Sequence, residues 1–136
     1  MSSFRIFDIA GSGMNAQNLR LNIVSSNLAN VDAVSSSLEE TYKARQPVFR
    51  AILDRSSRAV ASGVQMAGVV ESKAPLTREY APNHAMADEQ GYIYRPNVNA
   101  VEEMANMISA SRAYQNNVQV INASRQMMTA VINLGR

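Results

Sequence analysis

The sequence predicts an α+β protein in which two long terminal α-helices pair as an antiparallel, coiled-coil-like unit around a small inserted β domain. Three observations lead there. Apolar residues recur alternately three and four positions apart over both ends of the chain, which keeps one side of a helix oily. Both ends are almost uncharged: of 13 basic and 11 acidic side chains, four fall in residues 1–32 and five in 97–136, while fifteen crowd into 33–96. That middle stretch alternates and carries turn signals instead. The expected organisation is therefore a discontinuous helical core from 1–32 and 97–136, with 33–96 as a β-rich outer domain.

The first element lies within Met1 to Asp32. Phe7, Ala10, Met14, Gln17, Leu21, Val24, Leu28 and Val31 follow the heptad alternation, broken only by Gln17. The opposite side carries Asn15, Asn18, Asn22, Ser25, Ser26, Asn27 and Asn30, with Arg20 the single charge between Gly11 and Val31. Gly11 and Gly13 each disfavour helix by ~1 kcal/mol relative to Ala, so a joint is expected between residues 4–10 and the main helix.

The middle begins with a loop at Ser35 to Glu40. Tyr42 to Ile52 reads as extended, and Pro47, which lacks an N–H, favours an edge strand there. Gly63 to Glu71 reads as a half-buried strand with Val64, Met66 and Val70 on one face. Ser72 to Pro75 turns the chain into a strand over Leu76 to Tyr80. Asp88 to Gly91 is a second turn, ahead of Tyr92, Ile93 and Tyr94.

The closing helix is predicted from Asn99 to Asn133, about 50 Å at ~1.5 Å per residue. Asn99 is placed to cap it, with Glu102 three residues on in capping-box spacing, and Gly135 to close it. Its stripe is Met104, Met107, Ser111, Tyr114, Val118, Ile121, Arg125, Met128 and Ile132, of which seven of nine are apolar or aromatic. Between Met104 and Gly135 the only charges are Arg112 and Arg125, while amides fill the remaining faces.

A helix back that faces water normally carries Lys and Glu. Amides tolerate burial against protein when each finds a hydrogen-bond partner, which charges do far less readily. The expected assembly interface is accordingly Met14, Asn18, Leu21, Asn22, Val24, Asn27, Leu28 and Asn30 on the first helix. On the second it is Met104, Met107, Ile108, Tyr114, Asn116, Val118, Ile121, Asn122, Met128 and Ile132.

Little in the chain points to chemistry. There is no Cys and one histidine, His84, so a zinc site would be very hard to assemble, and His84 is expected in a surface or packing role. Asp88 beside Glu89 reads as a solvated turn, and the methionines at helical spacing read as core fillers. No phosphate loop or nucleophile elbow is present. An enzyme is not expected, nor a cofactor or metal. The formal net charge of +2 without a basic run argues against nucleic acid. No apolar run reaches the ~20 residues of a membrane span, and no cleavable signal is expected at the amino terminus.

Three blocks of residues resemble a known family, the axial proteins of the bacterial flagellum. The first is Phe7-Asp-Ile-Ala-Gly-Ser-Gly-Met14 with Ala16-Gln17, Arg20-Leu-Asn22 and Ser26-Asn-Leu-Ala-Asn30. The last is Pro96-Asn-Val-Asn99, Glu103-Met104, Met107-Ile108, Ser111-Arg-Ala-Tyr-Gln-Asn116 and Leu134-Gly-Arg136. The middle resembles the proximal-rod members of that family through Tyr42-Lys-Ala-Arg45, Val69-Val-Glu-Ser72, Ala74-Pro75, Tyr80-Ala-Pro-Asn-His84 and Ala87-Asp-Glu-Gln-Gly-Tyr92. The resemblance implies a structural subunit that polymerises through its terminal helices into a helical drive shaft transmitting motor torque. It implies export without cleavage through the flagellar type III apparatus and assembly as rod in the periplasm. The implied partners are copies of itself, other proximal and distal rod proteins, the motor-base adaptor and the export apparatus, with the surrounding ring bushing as a candidate neighbour. Terminal helices of this family are similarly disordered before assembly. The alternative reading is a soluble coiled-coil adaptor or regulatory module linked to type III secretion.

Overall fold

Asn99 starts the longest element as its residue type dictates. Its backbone is extended, and its side-chain oxygen accepts from the N–H groups of Val101 and Glu102, two donors that the first helical turn leaves unpaired. The capping box is half made, since Glu102 returns no hydrogen bond to Asn99. The computed structural model describes residues 4–53 and 61–135. In chain order it contains α1 (Phe4–Ala29), β1 (Arg45–Leu53), β2 (Ala61–Glu71), β3 (Thr77–Tyr80), β4 (Tyr92–Arg95) and α2 (Ala100–Leu134). The expected helix 1–32 thus begins in residues that lie outside the described ones.

The expected joint at Gly11 and Gly13 does not occur, because α1 is continuous over 26 residues. Tertiary contacts on both sides outweigh the helix penalty there. A Cβ at Gly13 would meet the Asn117 amide of α2 at 2.9 Å, so glycine lets the two helices close up. Neighbouring Ser12 donates its hydroxyl to the Ile9 carbonyl at 2.7 Å and accepts from the Val64 N–H of β2 at 3.1 Å.

The two helices run antiparallel, since Arg20 donates to the Asn106 side chain at 3.1 Å while Gly13 lies opposite Asn117. At ~1.5 Å per residue α1 is about 39 Å long and α2 about 52 Å, so α2 overhangs the start of α1 by roughly two to three turns. The expected α1 stripe, Phe7 through Val31, is buried or half-buried throughout. The α2 stripe is met in part, with Met107, Ser111, Val118, Ile121 and Met128 half-buried. Its inward residues are Glu103 and Ala110, fully buried, with Asn106, Met107, Ala113, Asn117, Val118, Ile121, Ser124 and Met128 around them. Met104, Tyr114, Arg125 and Ile132 are exposed, Tyr114 only marginally at 38 %, and Ile132 because it lies on the overhang beyond the start of α1.

On its other side α1 carries the antiparallel ribbon of β1 and β2. A two-stranded ribbon is marginal alone. This one is held by half-buried Pro47, Phe49, Val64 and Met66. Val70 does not share a face with Val64 and Met66 as expected. Val48 pairs with Gly68 but Phe49 with Met66, so Ala67 is an extra residue, a β-bulge that reverses the alternation and brings Val69 to the Met66 side.

The base of the ribbon is fixed by two asparagines from opposite ends of the sequence. Asn27, wholly buried, donates to the Arg45 carbonyl at 2.9 Å and accepts from the Arg45 N–H at 2.9 Å and the Tyr42 hydroxyl at 2.8 Å. The N–H and C=O of one extended residue point the same way, so a single carboxamide stands in for a neighbouring strand. The preceding residue turns its peptide groups to the other side: the Ala44 N–H donates to Asn97 at 2.8 Å and its carbonyl accepts from Ser72 N–H at 2.7 Å. Asn97 also donates to the Ala74 carbonyl at 2.8 Å.

β3 and β4 form a second, separate antiparallel pair, extended by a bridge between Ser35 and Tyr94. Ile93, 1 % exposed, is its core. The loop between them is organised by Asp88, whose carboxylate accepts from the N–H groups of Gln90 at 2.9 Å and Tyr92 at 2.8 Å and from the Tyr94 hydroxyl at 3.2 Å. Gly91 follows with φ of +81°, and a Cβ there would lie 3.0 Å from the Tyr80 ring. His84, exposed, accepts from Met86 N–H at 3.1 Å within the same loop.

Two predictions follow from these contacts. Asn27→Ala strands buried partners on Arg45 and Tyr42 and should lower the unfolding free energy by about 2–4 kcal/mol in chemical denaturation. Exposed Asn18→Ala should stay within ~0.5 kcal/mol, and equal effects would contradict the clamp. The Tyr92 N–H bond, ahead of the other contacts, holds Asp88 below the ordinary carboxylate range. A depressed folded pKa means the contribution is present above the unfolded value of ~3.9 and disappears as pH falls through the lower folded value. Protection of the Gln90 and Tyr92 amides, their exchange relative to the intrinsic rate at each pH, should fall on acidification through that window, and Asp88→Asn, which keeps an acceptor but does not titrate, should remove that change in protection.

Candidate assembly interface

The helix pair and the ribbon leave a distinctive remainder on the surface. α1 is flanked on one side by α2 and on the other by β1 and β2, whereas α2 packs against α1 alone among the described elements. Of the expected interface residues on α1, Val24 and Asn27 are buried and Met14, Leu21, Leu28 and Asn30 half-buried. Asn18 and Asn22 are exposed together with Asn15 and Ser25, forming the strip that neither α2 nor the ribbon covers. Asn27 is thus committed inside the chain, as is the Asn30 amide, which donates to the Ser26 carbonyl at 2.8 Å.

On α2 the expected residues divide. Met107, Val118, Ile121 and Met128 are half-buried against α1. Met104, Ile108, Tyr114 and Ile132 are exposed, as are Asn116 and Asn122. Val101 is 74 % exposed and Leu134 87 %, and Val120, Met127 and Val131 stand out beside them. The spacing Val101, Met104 and Ile108 puts one apolar face near the start of α2. Met127, Val131 and Leu134 put another on the overhang, where α1 no longer accompanies it. Scattered exposed apolar residues are ordinary on a protein surface; these lie close together on a helix with few charges, which makes the face a candidate contact region.

The remaining concavities are shallow and of mixed charge. One cleft of about 420 Å³ is lined by Glu39, Glu40, Lys43, Arg45 and Glu71 beside Thr41 and Tyr42. Another, of about 310 Å³, lies between α1, β1 and the first turns of α2 and contains Arg20, Arg45, Glu102 and Glu103. No group of three His, Cys, Asp or Glu side chains suited to a metal occurs among the described residues, and none of their helices is long and apolar enough to cross a membrane. The ion pairs Arg95 to Glu79 at 2.7 Å and Arg45 to Glu71 at 3.9 Å are half-exposed surface contacts.

Glu103 and Asn97 were missed by sequence reasoning as special positions. An acid in the first turn of a helix reads as a dipole partner facing water, and an asparagine before the cap reads as loop. Only the approach of α1 to the first turn of α2 gives Glu103 its burial, and only the return of the Ala44 and Ala74 peptides gives Asn97 its partners.

Comparison with known proteins places these surfaces in context. The family described as "Flagella basal body rod protein" matches residues 7–35, which cover most of α1 and its exit. The family described as "Flagellar basal body rod FlgEFG protein C-terminal" matches residues 89–134, from the Asp88 loop to the end of α2. Among curated relatives, the flagellar basal-body rod protein FlgC of Escherichia coli O6:H1 is 45% identical over 136 residues, all of both chains. That of Salmonella typhimurium LT2 is 44% identical, again over all of both. The FlgC of Borreliella burgdorferi is 35% identical, covering 97% of each chain. Full-length similarity at this level, joined to two helices whose uncovered faces carry few charges, makes the chain a member of the FlgC family of flagellar basal-body rod proteins, a structural subunit of the rod.

Proposed function

We propose that this chain builds the proximal part of the rod by laying its two terminal helices against those of neighbouring subunits, forming a helical shaft that transmits motor torque. The observation that carries the reading is α2, which presents Met104, Ile108, Tyr114, Met127, Val131 and Ile132, with Asn116 and Asn122, away from α1. Burial of such side chains releases ~25 cal/mol per Å² of apolar surface, and a lone subunit leaves that gain unused. A contact between different surfaces of successive copies, repeated with a rotation that does not close, yields a tube. Each subunit then shares load with several neighbours.

In this proposal residues 1–32 and 97–136 form the inner, assembling unit and 33–96 the outer layer, in line with fifteen charges on the latter. The assembly contacts are the exposed members of the expected set, Asn18 and Asn22 on α1 and Met104, Ile108, Tyr114, Asn116, Asn122 and Ile132 on α2. The half-buried ones contribute where neighbours reach the α1–α2 seam, as a coiled-coil-like packing of several subunits would require. The partners are further copies, other rod proteins of the proximal and distal segments, the motor-base adaptor and the ring bushing outside. Delivery is through the flagellar type III export apparatus to the periplasm, without a cleaved signal.

Replacing Asn18, Asn22, Asn116 and Asn122 together by Glu places like charges on both uncovered strips. Incorporation into isolated basal bodies and swimming should be lost while the purified chain still sediments as a soluble monomer. Rods assembled at the normal level from that variant would refute the proposal.

A further inference from the structure

Glu103 is the anomaly in the helical layer. It is one of two buried residues of α2, 8 % exposed, and its Oε2 is shielded from solvent without a hydrogen-bond partner. A desolvated carboxylate oxygen with no donor is costly, more so when the group is charged. The cations lining the same crevice are engaged elsewhere: Arg20 donates to Asn106 and Arg45 faces Glu71. The crevice, about 310 Å³, opens between α1, β1 and the first turns of α2 and has room for the end of a long side chain.

The complementary group is on the same helix and faces the other way. Arg112 follows Glu103 by nine residues, two and a half turns at 3.6 residues per turn, which turns it to the opposite side of α2. It is exposed and makes no hydrogen bond or ion pair among the described residues. Across residues 104–135 the only other charge is Arg125. Arg125 follows Glu103 by 22 residues, close to six full turns, and so projects from nearly the same side as Glu103.

We infer that the Glu103 crevice of one copy receives the Arg112 guanidinium of a second copy, completing a charge pair that the isolated chain leaves open. The inference deepens the rod reading and rests on it. Acceptor and donor lie on opposite sides of one helix, so two copies cannot satisfy both pairs with each other. Each copy gives Arg112 to one neighbour and takes it from another, which drives open-ended rather than dimeric association. The guanidinium suits the role because it stays charged and presents several donors in a fixed plane to a carboxylate. The pair would also set orientation, since these helices carry few charges.

The chain has no native cysteine, which makes the contact directly testable. Copies carrying Glu103→Cys and Arg112→Cys are expressed together, basal bodies are isolated and mild oxidant is added. Disulfide-linked dimers are expected from this mixture and not from Glu103→Cys mixed with Arg125→Cys. Normal incorporation without dimers, or dimers of equal yield with Arg125→Cys, would overturn the inference. If the cysteine variants fail to incorporate, charge exchange decides: Glu103→Arg and Arg112→Glu should each lose swimming, and the two combined in one chain should regain it. Failure of the combination to recover, or normal swimming by Glu103→Gln, also counts against the pair. Absence of the unsubstituted chain from basal bodies would instead overturn the rod reading itself.

Discussion

The structure hangs on the clamp that two asparagine side chains place on consecutive residues, Ala44 and Arg45. Asn27 fills both hydrogen-bonding groups of Arg45 from the α1 side, and Asn97 takes the Ala44 N–H from the other while also holding Ala74. Because adjacent residues of an extended chain present their peptide groups to opposite edges, the two amides grip one strand from both sides. That strand is the entry to the ribbon, Asn27 belongs to α1, and Asn97 lies two residues before the cap of α2. One short peptide therefore fixes the relative positions of both helices and the ribbon, although the three are far apart in sequence. Without it the ribbon would rest on a few half-buried apolar contacts, too few for a two-stranded sheet to keep a defined place.

How much of this was legible depends on whether the signal was local. The limits of α2 could be read because Asn99 and Gly135 act on the backbone next to them, and the found helix, Ala100 to Leu134, differs by a residue at each end. The strands fall within a few residues of their expected positions for the same reason: Pro47, the turn before Leu76 and the Asp88 loop are local punctuation. The α1 stripe also held, since α1 is packed on two sides and its oily row is used. The α2 stripe held in part: Met107, Ser111, Val118, Ile121 and Met128 are half-buried, while Met104, Tyr114, Arg125 and Ile132 are exposed, Ile132 because α1 does not reach the end of α2.

The other departures share that origin. Gly11 and Gly13 signal a break in isolation, yet Gly13 is where Asn117 comes within reach of the α1 backbone. Val70 alternates correctly in sequence, but a bulge at Ala67, visible only in the pairing with β1, reverses the count. Asn27 was legible as an amide seeking a partner and was assigned to a neighbouring subunit. Its composition-based reading was the right chemistry with the wrong address, since nothing local distinguishes it from Asn18 or Asn22, which do remain uncovered.

This difference between the helices bears on how a subunit could be both soluble and assembly-competent. α1 spends its apolar row and its most reactive amide within the chain, so it defines the subunit. α2 turns Met107, Val118, Ile121 and Met128 toward α1 beside its small residues and keeps Met104, Ile108, Tyr114, Met127, Val131 and Ile132 outside. Had this outer row also been covered within the chain, the pair would be more stable alone and would offer neighbours little beyond amides. Leaving it outside gives up some intrachain burial and leaves an apolar surface, tempered more by asparagine and glutamine than by charge. Amides keep such a surface wettable while it is unpaired and can be hydrogen-bonded when it is covered, whereas lysines and glutamates in those positions would resist covering at each repeat of the polymer. On the proposed reading, the row that α2 keeps outside is what leaves the subunit to be completed by its neighbours.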